Sequence, residues 1–219
     1  MLSKEDIDKY LGILGEEILS KFGPEANVKV VIVGGAAIAL NYRFRESTMD
    51  IDTYIRCTGK LDDIISEIAK THGLEDDWLN SNVTVTQSYT SNIEMFSPEY
   101  KVYSGVLHVH VADALTLVCM KAVSCRPGSH DLADIDNILT SEPNISYTDV
   151  CERFIALYGD WSKMSVDAQM YLQGRFSTNL TPDLVDYVLS QLPPSKVAEC
   201  ATLSEKMQLC EKYKDFLGL

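Results

Sequence analysis

The sequence has no long apolar run. Nothing in it approaches the roughly 20 residues that a bilayer-spanning helix needs, and the opening MLSKEDIDKYLG lacks the apolar core of a secretion signal. None of the six cysteines (Cys57, Cys119, Cys125, Cys151, Cys200 and Cys210) forms a Cys-x-x-Cys pair. The four histidines, His72, His108, His110 and His130, show no zinc-ligand spacing with them. The cysteines are read as reduced core or surface thiols, and the location as the cytoplasm, with no membrane partner. Basic residues are scarce: 19 Lys and Arg stand against 32 Asp and Glu, a net charge of −13. That excludes a protein that coats nucleic acid, because phosphate binding needs basic surface. It leaves room for a local basic patch, and it suits a cationic small-molecule acceptor equally well. The part beyond Pro143 shows no internal repeat and no low-complexity tract.

What is present is ordinary globular material, 46% hydrophobic and 23% charged over 219 residues, enough for one large domain or two small ones. The organising stretch is 28–56, VKVVIVGGAAIALNYRFRESTMDIDTYIR. It reads as a strand over Val28 to Val33, a turn at Gly34-Gly35, a short helix, a loop with Arg43 and Arg45, and a strand over 50–55. Residues two apart in a strand share a face, so Asp50 and Asp52 project together while Ile51 enters the core. Two such carboxylates repel unless a cation lies between them. Oxygen ligands suit Mg²⁺, which takes one or two carboxylates plus substrate phosphates. The glycine turn opens a helix, whose N-terminal amides form an anion site. A phosphate cradle beside a magnesium pair points to nucleotide chemistry. Taken singly, a glycine pair is an ordinary turn and an Asp-x-Asp an exposed strand edge. Their order and context make the pair informative.

Val33-Gly34-Gly35 followed by Asp50-x-Asp52 resembles the signature of the nucleotidyltransferase superfamily, the polymerase-β-like fold. The intervening Ala36 to Met49 is one residue longer than the usual range. The run from Arg45 through Ser47-Thr48 to Asp50-Ile51-Asp52 is most similar to the toxin-type branch, the AbiEii-like proteins. The resemblance implies Mg²⁺ on Asp50 and Asp52, and a nucleoside triphosphate bound by Gly34, Gly35, Arg45 and Thr48.

The second motif is DALTLVCMKAVSCRPGSHDLADIDNIL, 113–139. It predicts a helix over 113–124, a break at Arg126-Pro127-Gly128, and a helix over 131–139 capped by Ser129, with Leu132, Ile135 and Leu139 buried. It resembles the segment that follows the catalytic sheet in AbiEii-like proteins. Lys121 then corresponds to the lysine on the nucleotide phosphates and Asp131 to the downstream aspartate, with Arg126 between them. Physically, Lys121 offers a compact donor to phosphate oxygens, and Asp131 could fix its ammonium or act as base. The plain alternative is a solvated lysine and a helix-opening aspartate favoured by the dipole. Asp134 and Asp136 read as solvent-facing. In this fold a later strand often supplies a third carboxylate. Here LHVHV, 107–111, carries His108 and His110, so the third acid is either missing or supplied by Glu94. The two histidines read as a satisfied or exposed pair on one face.

Elsewhere the pattern predicts a helix over 3–22, capped by Ser3 with Asp6 and ended by Gly23-Pro24. Thr58-Gly59-Lys60 reads as a turn, 61–71 as a helix, and Trp78-Leu79 as one helical turn. Residues 82–87 read as a strand, 92–97 as a weaker one, and 100–111 as a strand or a hairpin around Ser104-Gly105. Beyond Pro143 four helices follow: from Ser146 or Thr148 to Tyr158, 161–176, Thr181-Pro182 to Leu192, and Ser195 to about Phe216. The fold class is α/β, a mixed sheet flanked by helices with a C-terminal helical bundle. The organisation is a catalytic domain over 1–142 and a helical region over 143–219, where acceptor choice would reside.

The activity this reading implies is Mg²⁺-dependent transfer of a nucleoside monophosphate to an acceptor hydroxyl. The toxin-type resemblance implies an RNA acceptor, the 3′ end of tRNA, and an antitoxin protein as partner. Transfer to a small molecule such as an aminoglycoside is the competing enzyme reading. A non-catalytic member that binds a nucleotide or a protein partner is the competing non-enzyme reading.

Overall fold

The computed structural model describes residues 1–42, 44–56, 61–126 and 128–213. Arg43, Cys57, the Thr58-Gly59-Lys60 turn, the Pro127 break and the expected helix end near Phe216 lie outside them. In chain order the strands are β1 (Leu2–Ser3), β2 (Val28–Ile32), β3 (Ser47–Thr48), β4 (Ile51–Arg56), β5 (Leu79–Asn80), β6 (Glu99–Tyr103) and β7 (Leu107–Val111). The helices are α1 (Lys4–Phe22), α2 (Gly34–Asn41), α3 (Asp62–His72), α4 (Ala114–Ser124), α5 (Asp131–Ser141), α6 (Tyr147–Tyr158), α7 (Val166–Arg175), α8 (Pro182–Ser190), α9 (Pro194–Val197) and α10 (Leu203–Tyr213).

The fold is a mixed α/β arrangement. Five strands run in the order β5-β4-β2-β7-β6, with β2 antiparallel to β4 and parallel to β7. The hairpin of β6 and β7 closes one edge and β5 the other. A separate two-stranded ribbon pairs β1 with β3, Leu2 opposite Thr48. Alternation puts Val30, Ile32, Thr53 and Val109 on one face of the sheet and Val31, Asp52, Tyr54 and His110 on the other. The first face is covered by α1, whose Ile7, Leu11, Leu14 and Ile18 are fully buried. The Ser3–Asp6 capping box starts that helix as the pattern predicts. Helix α4 packs between α5 and α6, and the Ser165 amide donates to the Ala122 carbonyl, tying the start of α7 to α4.

Four local expectations are corrected. Residues 82–87 are not a strand but a 3₁₀ turn over Asn82–Val85. The Thr84 and Thr86 hydroxyls donate back to the Ser81 and Val83 carbonyls at 2.7 Å, so side chains take the place of a ladder. Residues 91–96 are likewise 3₁₀, started by Thr90. Trp78-Leu79 is not a helical turn: Leu79 pairs in parallel with Ile51, because the Trp78 ring is buried and its indole donates to the Ile65 carbonyl. The C-terminal part holds five helices and a 3₁₀ turn among the described residues, not four helices. Asp160 caps the turn at Trp161–Lys163 and Ser165 caps α7, which splits the expected 161–176 helix. Thr202 and Glu205 bond each other's backbone and restart α10 after α9, which splits the expected last one.

Candidate active site

Asp50 and Asp52 sit where β4 begins, on either side of the fully buried Ile51. The Val33 amide donates to the Asp52 carbonyl at 3.0 Å, which brings the end of β2 alongside them. The chain then turns at Gly34, in the left-handed region at φ +61°, and enters α2. A Cβ on Gly34 would lie 3.1 Å from Asp52 Oδ2, so only glycine lets the carboxylate rest against this turn. Gly35 is equally constrained: a Cβ there would meet Thr48 Oγ1 at 2.9 Å and the Arg45 guanidinium at 3.2 Å. Val33, at the N-cap of α2, gives no side-chain cap, so no side chain competes for the first-turn amides.

Asp52 is held above the ordinary carboxylate range, first by burial and next by the charge of Asp50; Lys121 and Asn80 pull it back in part. Asn80, the register partner of Asp52 on β5, donates to Asp50 Oδ2 at 3.2 Å.

Lys121 reaches in from α4. Its ammonium lies 2.8 Å from Asp131 Oδ1 and 2.8 Å from Asp134 Oδ2. Asp134 also faces Arg45 Nη1 at 3.4 Å. The other oxygen of Asp131 accepts from Ser129 Oγ at 2.7 Å. Burial pushes the Asp131 carboxyl up, but the hydrogen bonds from Lys121 and Ser129 outweigh it and hold the group below its usual range.

These residues border one cleft of about 480 Å³. Gly34, Gly35 and Asp52 form one wall, Lys121, Arg126 and Asp131 the opposite one, and Asn82 to Ser88 a third. Asp50 stands beside it, against Asn80. Arg45 and Thr48 stand behind Gly35, with Thr48 buried within the β1–β3 ribbon. The structure therefore brings all eight expected site residues to one end of the sheet, two of them as backing for the glycine turn.

Glu94 is placed elsewhere. It accepts from Lys29 at 2.8 Å and pairs with Arg56 at 3.1 Å, and Arg56 is four residues along β4 from Asp52, about 13 Å in a strand. Level with Asp52 on the β7 side stands Ala112, whose amide bonds the Ile32 carbonyl. Among the described residues no third His, Cys, Asp or Glu completes a metal cluster with the pair. His108 and His110 do share a face; their Nδ1 atoms bond Glu99 Oε2 at 3.1 Å and the Ser97 carbonyl at 2.9 Å.

Asp134 corrects the sequence reading. Far from facing solvent, it is 7% exposed and bridges two cations, whereas Asp136 is exposed as expected and pairs with Tyr171 and Arg175. Its spacing from Asp131, one helical turn, is the signal that places both on one face toward Lys121. Nothing in the sequence singles out Asn80, because its role depends on β5 pairing with β4.

A family model described as nucleotidyltransferase of unknown function (DUF6036) matches residues 9–155, well over half the chain. The chain belongs to this family. Every residue of the cleft described above falls inside the matched span, so nucleotidyl transfer is the family context in which the cleft is to be understood. No curated protein and no solved structure matches the chain significantly. No helix among the described residues is long and apolar enough to cross a membrane.

Proposed function

We propose that this nucleotidyltransferase is magnesium-dependent and moves a nucleoside monophosphate from a nucleoside triphosphate onto a hydroxyl at the 3′ end of an RNA, such as tRNA: the hydroxyl oxygen bonds to the α-phosphorus, the bond to the β-phosphate oxygen breaks, and pyrophosphate and the hydroxyl proton are released. We place it with the AbiEii-like toxins, with an antitoxin protein as its partner. The observation that carries the enzymatic reading is Gly34 at positive φ with Asp52 Oδ2 packed against it, facing Lys121 across one cleft. The family context supports nucleotidyl transfer.

The donor set fits the cation. Asp50 and Asp52 offer oxygens only, and the raised Asp52 carboxyl reflects burial and like charge that a divalent ion would relieve. Bound there, Mg²⁺ would neutralise charge on the transferring phosphate. The chain's own residues do the rest. Gly34 and Gly35 open the α2 amides to phosphate oxygens. Lys121 neutralises phosphate charge, and Arg45 supports it from behind Gly35. Asp131, held ionised below its usual range, is a weak base; its part is to orient Lys121.

The test is label transfer. Protein, Mg²⁺ and each α-labelled nucleoside triphosphate are incubated with total RNA, with an aminoglycoside, or with neither. Label in RNA of tRNA size, lost in Asp52→Ala, supports the proposal. Label on the aminoglycoside moves the acceptor to small cationic molecules, which the net charge of −13 would attract. Label nowhere, with Asp52→Ala binding nucleotide as the wild type does, overturns catalysis.

A further inference from the structure

Beside the nucleotide cleft lies a second, larger cavity, about 720 Å³. Gln87 and Val123 belong to the walls of both, so the two adjoin. One wall of the second cavity is Tyr89, Thr90 and Asn92; the other is Ile155 to Gly159 at the end of α6, with Lys163 from the turn after it. These walls are tied together. Asn92 Nδ2 donates to the Ala156 and Leu157 carbonyls at 3.1 and 3.2 Å, and the Tyr158 hydroxyl donates to the Ser88 carbonyl at 2.7 Å. The cavity is therefore built where the sheet-bearing part meets the helical part, next to the reaction site.

Its charge runs against that of the whole molecule. The chain carries 32 acidic and 19 basic residues, yet among the described residues no carboxylate lines this cavity, and Lys163 is its single charged group. Lys163 Nζ donates to the Tyr158 carbonyl at 2.8 Å, which uses one of the three protons of an ammonium. Tyr89 borders the cavity while packing on Tyr54 at 5.6 Å. Apolar surface comes from Val123, Leu157 and the partly exposed Ile155.

We infer that this cavity receives the acceptor, and that the acceptor is the 3′-terminal nucleoside of a single-stranded RNA. The inference rests on the reading that the neighbouring cleft binds the nucleoside triphosphate. No carboxylate among the described residues lines the cavity, and Asp160 in the neighbouring turn is in part offset by Lys163, which turns the choice away from aminoglycosides. A tyrosine ring with an amide beside it suits a nucleobase, which stacks on aromatic faces whatever its sequence. Lys163 suits the adjoining phosphate. Because the rest of the surface is strongly acidic, it repels a long phosphate backbone, so the grip is confined to the strand's end. A cavity of this size holds one nucleotide, within the ordinary range for ligand sites.

The test needs no turnover. Binding of a fluorescein-labelled single-stranded RNA hexamer with a free 3′ hydroxyl is followed by anisotropy for wild type, Lys163→Glu and Lys163→Arg. Nucleoside triphosphate binding to the same proteins is measured by calorimetry. Lys163→Glu should weaken RNA binding roughly tenfold, the effect of one lost phosphate contact. Lys163→Arg should restore it, and triphosphate affinity should be unchanged in both. Unaltered RNA binding in Lys163→Glu overturns the inference, as does the absence of RNA binding to wild type. Weakened triphosphate binding in its place would assign the cavity to the base of the nucleotide. A wild type that binds RNA but no triphosphate would instead sink the reading of the cleft.

Discussion

Asp52 is the residue on which stability and function pull apart. Its folded carboxyl titrates above the ordinary value of 3.8, chiefly through burial and then through Asp50. The folded state thus binds this proton more tightly than the unfolded state does. The stability this confers is present below 3.8 and is lost as pH rises through the folded value, so the ionised group is a cost at neutral pH. Asp52→Asn should therefore raise the metal-free melting temperature at pH 7, by a few degrees at most because solvent screens this half-buried group, while abolishing transfer. Thermal scans with and without Mg²⁺ check this. The rise that Mg²⁺ produces in wild type should fade on acidification through the Asp52 titration and be absent in Asp52→Asn. Removing Asp134 should destabilise the fold. This residue stands between Lys121 and Arg45, so Asp134→Ala should cost about 2 kcal/mol in urea unfolding, less than a fully orphaned buried charge because Asp131 still partners Lys121. Asp136→Ala, at an exposed position of the same helix, should be within about 0.5 kcal/mol of wild type.

At the scale of elements, α1 makes the packing argument most directly. Gly12 and Gly15 both sit inside this helix, where glycine is about 1 kcal/mol worse than alanine. A Cβ at Gly12 would touch the Tyr103 ring at 3.7 Å, an ordinary contact. A Cβ at Gly15 would lie 2.7 Å from Tyr103 Cβ and 3.2 Å from its backbone, which cannot swing away. Gly12→Ala should thus stabilise by about 0.5–1 kcal/mol, and Gly15→Ala should destabilise by about 1–3 kcal/mol. Denaturant midpoints separate the two signs. The same scale shows which elements could be foreseen. α1, α6 and α8 carry their own caps, Ser3, Ser146 and Thr181, and each begins where the pattern places it. The 82–87 segment has strand-like alternation, but its second apolar residue, Val85, is 89% exposed. Local hydroxyl-to-carbonyl bonds decided there, and they compete with a ladder in a way periodicity does not register.

For the molecule as a whole, the net charge of −13 opposes an anionic nucleotide at long range, whereas the proposed site would attract it at short range through Lys121. Screening shortens that repulsion from about 30 Å at 0.01 M salt to about 8 Å at 0.15 M. The association rate of a nucleoside triphosphate should accordingly rise over this interval, the reverse of a basic nucleic-acid binder, and stopped-flow mixing at a series of ionic strengths checks it. Family resemblance pointed to Lys121 and Asp131, while the sequence by itself determined the α/β class, the glycine turn and the carboxylate pair. All of these are local: a strand's period sets which side chains share a face, and a turn residue sets where a helix opens. Only the tertiary structure decided that Asp134 belongs with Lys121 and Arg45, that Asn80 steadies Asp50, and that Glu94 stands at the far end of the strands. It also placed beside the cleft a cavity that no carboxylate lines among the described residues. The Asn80, Glu94 and Arg45–Asp134 contacts depend on strand register and on side chains meeting from segments tens of residues apart, which no spacing along the chain encodes; the helical turn from Asp131 to Asp134 puts both on one face, but only the packing of α5 on α4 brings that face to Lys121.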